Sequence, residues 1–149
     1  MAAMTDPGDS GIFGGILGKF TEEFYLLFRL IFAFLVALHG AQKAFLLWGF
    51  PADANPNGLG TLVDIAGWVE FIAAFLIAFG VLTRLGAGAL VVTMIVAYFG
   101  IHNVNGTWPH LPDNGGEVAV LWFAIAGIIG VLGSRKYGLE RMILGREIL

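Results

Sequence analysis

The sequence predicts an all-α polytopic membrane protein: four transmembrane helices in an antiparallel bundle, preceded by an N-terminal interfacial helix. Three observations carry this. Hydrophobic residues make up 58% of the 149 residues and charged residues only 13%, against about 45–50% and about 25% in soluble domains. Four apolar stretches approach the ~20 residues a helix needs to cross a bilayer. Seven of the eight basic residues fall on one side once four spans are drawn.

The N-terminal segment, residues 1–23, opens with Asp6 and Asp9 rather than a basic region, which excludes a signal peptide. Ile12, Phe13, Ile16, Leu17, Phe20 and Phe24 recur at helical spacing, the pattern of a helix lying on the cytoplasmic face. A disordered tail is the alternative, because Gly11, Gly14, Gly15 and Gly18 weaken any helix. The first span covers about Phe24–Trp48, the second Leu62–Leu82, the third Leu85–Ile101 and the fourth Val118–Leu132. A Pro/Gly/Asn loop at 49–60, a turn at Thr83–Arg84 and a polar loop at 102–117 separate them. The bundle is thus 24–134, and 135–149 is a C-terminal tail.

Lys19, Arg29, Arg84, Arg135, Lys136, Arg141 and Arg146 share one side, with Lys43 toward the other. Basic residues mark the cytoplasmic side, so both termini are expected there, in a prokaryotic cytoplasmic (inner) membrane. Trp48 and Trp108 outside, and Tyr25 and Tyr137 inside, read as interfacial anchors. Arg84 should serve mainly orientation, and Arg29 should snorkel inward or meet lipid phosphate. A net charge of −3 gives no reason to expect nucleic-acid binding, and the absence of cysteine removes thiolate chemistry and cysteine-ligated clusters.

Ionisable residues within spans are costly and usually mark functional sites. Glu70 stands alone in the apolar run 67–80, near the middle of the second span. It must be protonated, paired or wetted. On helix rise, His39 lies about 4–5 Å outward of that level, Tyr98 about 6 Å, Gln42, Lys43 and Asp64 about 9–11 Å, and His102 and Glu117 about 12 Å. His39 and Lys43 are four apart, as are Tyr98 and His102, so each pair shares a helix face. Gly40 and Gly67 permit close helix approach beside them. The expected site is a Glu70–His39/Lys43 network with His102 and Glu117 as its outer rim and Tyr98, Trp68 and Trp122 as walls, opening outward. The plainer readings are an inter-helix hydrogen bond for Glu70, unpaired snorkelling for Lys43, and wetted helix ends for Asp64, His102 and Glu117. Asp113 and Asn114 read as loop and cap residues before the fourth span.

The order of these residues resembles the DoxX family of small membrane proteins. The match runs through Arg29, "HGAQK" (39–43), "GWVE" (67–70), "FGVLTR" (79–84) and "GGE" (115–117), with "GSRKYGLER" (133–141) only loosely following the family's C-terminal signature. The resemblance covers roughly 24–141 and implies a four-helix bundle. Some members are subunits associated with thiosulfate:quinone oxidoreductase or terminal-oxidase systems.

Two functions compete. One is a quinone-associated redox subunit, in which Glu70 relays protons and His39 or Lys43 binds a quinone carbonyl while a partner supplies electrons. The other is a non-catalytic accessory or assembly subunit, suited by the small residues Gly86, Gly88, Ala97, Gly100, Gly127, Gly130 and Gly133. Partners are the lipid bilayer and other membrane subunits or further copies of the chain. Bis-His haem is disfavoured because His39 and His102 differ by about 7–8 Å in depth. No paired ligand spacing supports a metal site. Ser10 and Ser134, the only serines, both lie toward the cytoplasm, which argues against a serine hydrolase.

Overall fold

The computed structural model describes residues 11–50, 60–103 and 114–148, which are helical apart from short connections. The tail 1–10, the loop residues 51–59 and 104–113, and with them Trp108 and Asp113, lie outside the described residues. Helix α1 (Gly11–Leu17) runs through a 3-10 turn, Gly18–Phe20, into α2 (Thr21–Ala44). Then come α3 (Gly60–Phe79), α4 (Thr83–Ala97), a π-helical turn (Tyr98–His102), α5 (Glu117–Leu132) and the short α6 (Leu139–Leu144). Three stretches are long and apolar enough to cross a membrane: Phe13–Ala44, Gly60–Phe79 and Thr83–His102. Helix α5 is apolar but has 16 residues.

The distribution of side chains is that of a bundle in an apolar solvent. Small residues sit inside: Ala33, Ala73, Ala74, Ala87, Ala119 and Ala126 are buried. Large ones such as Phe34, Ile72, Phe75, Val92 and Phe99 face outward. Without a hydrophobic drive between helices in lipid, association rests on close backbone approach, which small interior residues allow.

The most extensive packing is of α2 on α3, followed by α4 on α5 and then α3 on α4. The α2–α3 crossing is the tightest. A Cβ on Gly40 would lie 2.8 Å from Phe71 Cα and 2.9 Å from the Gly67 carbonyl, and one on Gly67 would lie 2.6 Å from Lys43 Cβ. At the far end of the pair, Arg29 reaches Ala78. Between α3 and α4 the chain reverses through Gly80 (φ +67°) and Leu82 (φ +47°). Glycine is required at 80 because a Cβ there would also lie 2.5 Å from Gly138 Cα and 3.2 Å from Arg29 Nη1.

Helix α5 meets α2 through aromatic edges: the Trp122 ring stands 6.0 Å from Phe32 and 4.7 Å from His39. The segment after α5 is not a loose tail. Residues 133–148 fold back onto the ends of α2, α3 and α4 through the contacts set out below.

Candidate functional site

Two polar clusters are built into the bundle, one toward each end. The first grows from the α2–α3 crossing. Gly40 and Gly67 bring the two backbones together, and the long Lys43 side chain then runs along the contact toward the middle of α3. Its Nζ donates to both carboxylate oxygens of Glu70, at 2.6 and 2.8 Å. Glu70 is 1% exposed and Lys43 20%. A carboxylate that deep in an apolar bundle costs several kcal/mol unless it has a cation. Lys43 supplies it, which excludes unpaired snorkelling. An ammonium has three N–H donors. With both Glu70 oxygens served, one donor remains for another acceptor.

His39 is not part of that pair. It is one turn from Lys43, as the spacing predicts, but no hydrogen bond joins it to Glu70 among the described residues. Its ring lies edge-on to Trp122 and is exposed at the α2–α5 seam. The imidazole is too short to follow the path of the lysine stem.

Tyr98 and His102 converge on Asn114 instead. The Tyr98 hydroxyl accepts from Asn114 Nδ2 at 3.4 Å, and His102 Nδ1 lies 3.1 Å from the Asn114 carbonyl. A carbonyl only accepts, so that ring nitrogen carries the hydrogen. Asn114 Oδ1 accepts from Gly116 N at 2.8 Å, the local turn chemistry expected of it. Gly116 is needed beside the Tyr98 ring, since a Cβ there would lie 2.6 Å from Tyr98 Cε2. The turn that sets this up is π-helical, with Asn103 N donating to Tyr98 O at 2.8 Å, so a four-residue spacing no longer stacks the two side chains on one line. Glu117 is exposed at the start of α5 and makes no bond to His102 among the described residues. Trp68 is not a wall: it is exposed and packs on Phe45 and Phe71 at ring distances of 5.1 and 6.4 Å.

The second cluster centres on Arg29, and here the sequence reading is corrected. Arg29 is 1% exposed and does not snorkel to lipid phosphate. Its Nη1 donates to Ser134 O at 2.6 Å, and its Nη2 to Tyr137 O at 2.6 Å and Ala78 O at 3.5 Å. The guanidinium thus ties the first long helix to the end of α3 and to the segment after α5. Tyr25 and Tyr137 are also bonded rather than merely anchored: Tyr25 donates to Gly133 O at 2.6 Å, and Tyr137 to Glu23 Oε1 at 2.7 Å. Glu22 accepts from Arg135 through both Nε (2.9 Å) and Nη2, and this hydrogen bonding raises Arg135 above the usual arginine value.

Arg84 does more than orient the chain. Its Nη1 donates to Gly130 O and Val131 O at 2.8 and 2.6 Å, satisfying carbonyls that the end of α5 leaves without partners. Glu140 is buried and faces Leu82 N at 3.4 Å. Glu147 accepts from Ser134 N at 2.6 Å. Neither acid stood out in the sequence. The available signal was, for Glu140 alone, its position in the loosely matched segment 133–141; Glu147 lies beyond it.

The DoxX family model matches residues 24–103, which contain Arg29, Lys43 and Glu70. Two proteins of Haemophilus influenzae, both described only as uncharacterized, are 32% identical to the chain. One aligns over 108 residues, 71% of this chain and 80% of the relative. The other aligns over 93 residues, 62% of this chain and 56% of the relative. No solved structure matches at a significant level. With apolar helices long enough to cross a bilayer and a family match over more than half its length, the chain is an integral membrane protein that belongs to the DoxX family.

Proposed function

We propose that this protein is a quinone-associated redox subunit of a larger membrane complex. It crosses the membrane as a four-span antiparallel bundle with both termini in the cytoplasm. The observation that carries the reading is the placing of two donors one turn apart on α2, Lys43 toward α3 and His39 toward α5. Lys43, held by Glu70, keeps one N–H free, and His39 stands exposed one turn away against Trp122. A quinone head group needs donors for its carbonyl oxygens and an apolar approach, and an exposed imidazole on a lipid-facing seam supports both. Glu70 fixes the ammonium and is the group through which a proton is exchanged. Tyr98 and His102, engaged with Asn114, shape the neighbouring turn rather than touch the ligand. Glu117 gives the same end of the bundle a solvated carboxylate. Electrons come from a partner, since the chain has no cysteine for a cluster or a disulfide.

The topology rests on the basic-residue asymmetry. The 16-residue α5 spans about 24 Å, short of the ~30 Å core, a difference met by bilayer thinning, snorkelling flanking residues or packing on a partner.

The test is purification of the full chain in mild detergent, with mass spectrometry of co-purifying lipids and proteins. Quinone should be retained near stoichiometrically and lost from His39→Ala and Lys43→Met. A stable complex free of quinone overturns the reading in favour of a non-catalytic accessory or assembly subunit. One feature favours that second reading: an apolar cleft of about 440 Å³ between α3 and α4, lined by residues including Leu62, Ile65, Val92, Val96 and Gly100, has the character of a helix-docking surface.

A further inference from the structure

At the opposite end from the Lys43–Glu70 pair, an open cavity of about 500 Å³ is lined by Arg84, Arg141, Gly145, Arg146, Glu147 and Ile148. Three guanidiniums face one carboxylate. Glu147 is largely spent. It is 7% exposed, its Oε1 accepts from Ser134 N, and its Oε2 lies 3.8 Å from Arg84 Nη2 and 3.9 Å from Arg141 Nη2. Those separations are too long for hydrogen bonds. The carboxylate therefore spaces the two guanidiniums without consuming their donors. Arg146 is exposed and makes no hydrogen bond or ion pair among the described residues.

One lining residue, Ile148, gives the cavity an exposed apolar rim, and further exposed apolar side chains adjoin its arginines along the chain. Val131 and Leu132 end α5 beside the carbonyl that Arg84 holds, and Leu85 follows Arg84 on α4. Met142, Ile143, Leu144 and Ile148 of the folded-back segment are exposed as well. A soluble anion would use the arginines alone and gain nothing from such a rim. A phospholipid uses both: the phosphate meets the guanidiniums and the acyl chains lie on the aliphatic side chains.

We propose that the Arg84–Arg141–Arg146 cavity binds the head group of an anionic phospholipid. Guanidiniums suit the task because their paired donors match phosphate oxygens. The bound phosphate relieves the excess positive charge and fastens the folded-back segment to the membrane surface.

The experiment is native mass spectrometry of the full chain in detergent, titrated with phosphatidylglycerol, phosphatidylcholine or inorganic phosphate. One phosphatidylglycerol should bind in clear preference to phosphatidylcholine. Each basic residue at an anionic surface is worth about fivefold in affinity, so Arg141→Gln/Arg146→Gln should weaken that binding about 25-fold. Arg84 is left in place because it holds the end of α5. An unchanged melting temperature for the double variant separates loss of the site from loss of the fold. If that temperature falls, Arg146→Gln alone should still weaken binding about fivefold. Lys19→Gln/Lys136→Gln, which removes the same charge elsewhere, should leave the preference intact. Equal binding of both lipids, equal losses from the two double variants, or displacement of the lipid by millimolar phosphate would each overturn the proposal. None of these outcomes depends on whether quinone is bound at the other end.

Discussion

Removing Lys43 should cost more than removing the charge of its partner. In Lys43→Met the Glu70 carboxylate, 1% exposed, is left without a cation and cannot reach water. Breaking a buried pair in this way costs about 3–5 kcal/mol. In Glu70→Gln the amide oxygen still accepts one N–H from Lys43, and the lysine, 20% exposed, can extend along its stem toward the helix end. That loss should be about 1.5–2 kcal/mol, the scale of one charge-assisted hydrogen bond. The double variant then has no orphaned charge and should resemble Glu70→Gln alone. The coupling between the two sites then equals the whole Lys43→Met loss, about 3–5 kcal/mol, at or above the top of the range for residues in contact. Equilibrium unfolding in mixed micelles, as the denaturing detergent fraction rises, measures all four corners of the cycle. Losses that add to within about 0.5 kcal/mol, or a Glu70→Gln variant less stable than Lys43→Met, would refute the reasoning.

Arg29→Met should free residues 133–148 from the bundle, with new protease cleavage there and a stability loss of about 3 kcal/mol or more; Arg29→Lys should not rescue it, because one compact ammonium cannot span three carbonyls on two segments. Gly40→Ala should destabilise by about 3 kcal/mol, since its Cβ meets backbone of α3, whereas Gly88→Ala meets open space and should be neutral or stabilising by up to about 1 kcal/mol. Thermal denaturation of the two variants side by side distinguishes packing from helix propensity. Cysteines introduced at Asn57 and Asn114 should label from outside and one at Gly145 from inside; labelling of all three from one side would sink the four-span topology.

The helices were legible because apolar run length and Gly/Pro punctuation are local signals. Their bounds moved by only a few residues, as at the start of the first long helix, Thr21 rather than Phe24. The Glu70–Lys43 pair was within reach because helix rise and side-chain length together limit which cations can approach a mid-span acid. His39 was overvalued on the same arithmetic: depth alone says nothing of direction, and its ring turns to Trp122. Arg29 and Arg84 were misread for a different reason. Their acceptors are backbone carbonyls, which no residue type announces, and the partners of Arg29 on the folded-back segment lie 105 and 108 positions away. The π turn at Tyr98 was equally hidden, since a one-residue change in bonding register leaves the hydrophobic pattern intact.

The Arg29 contacts also impose an order on synthesis. At about 5–20 residues per second, the first long helix waits roughly 5–20 s before Ser134 and Tyr137 exist to receive its guanidinium. During that interval the nascent chain carries a solvated or lipid-coordinated arginine in its first span, and the bundle cannot close around it. Closure around Arg29 thus waits on a segment made more than a hundred residues later. A chain halted before residue 134 keeps this guanidinium without the two carbonyls that hold it in the folded bundle.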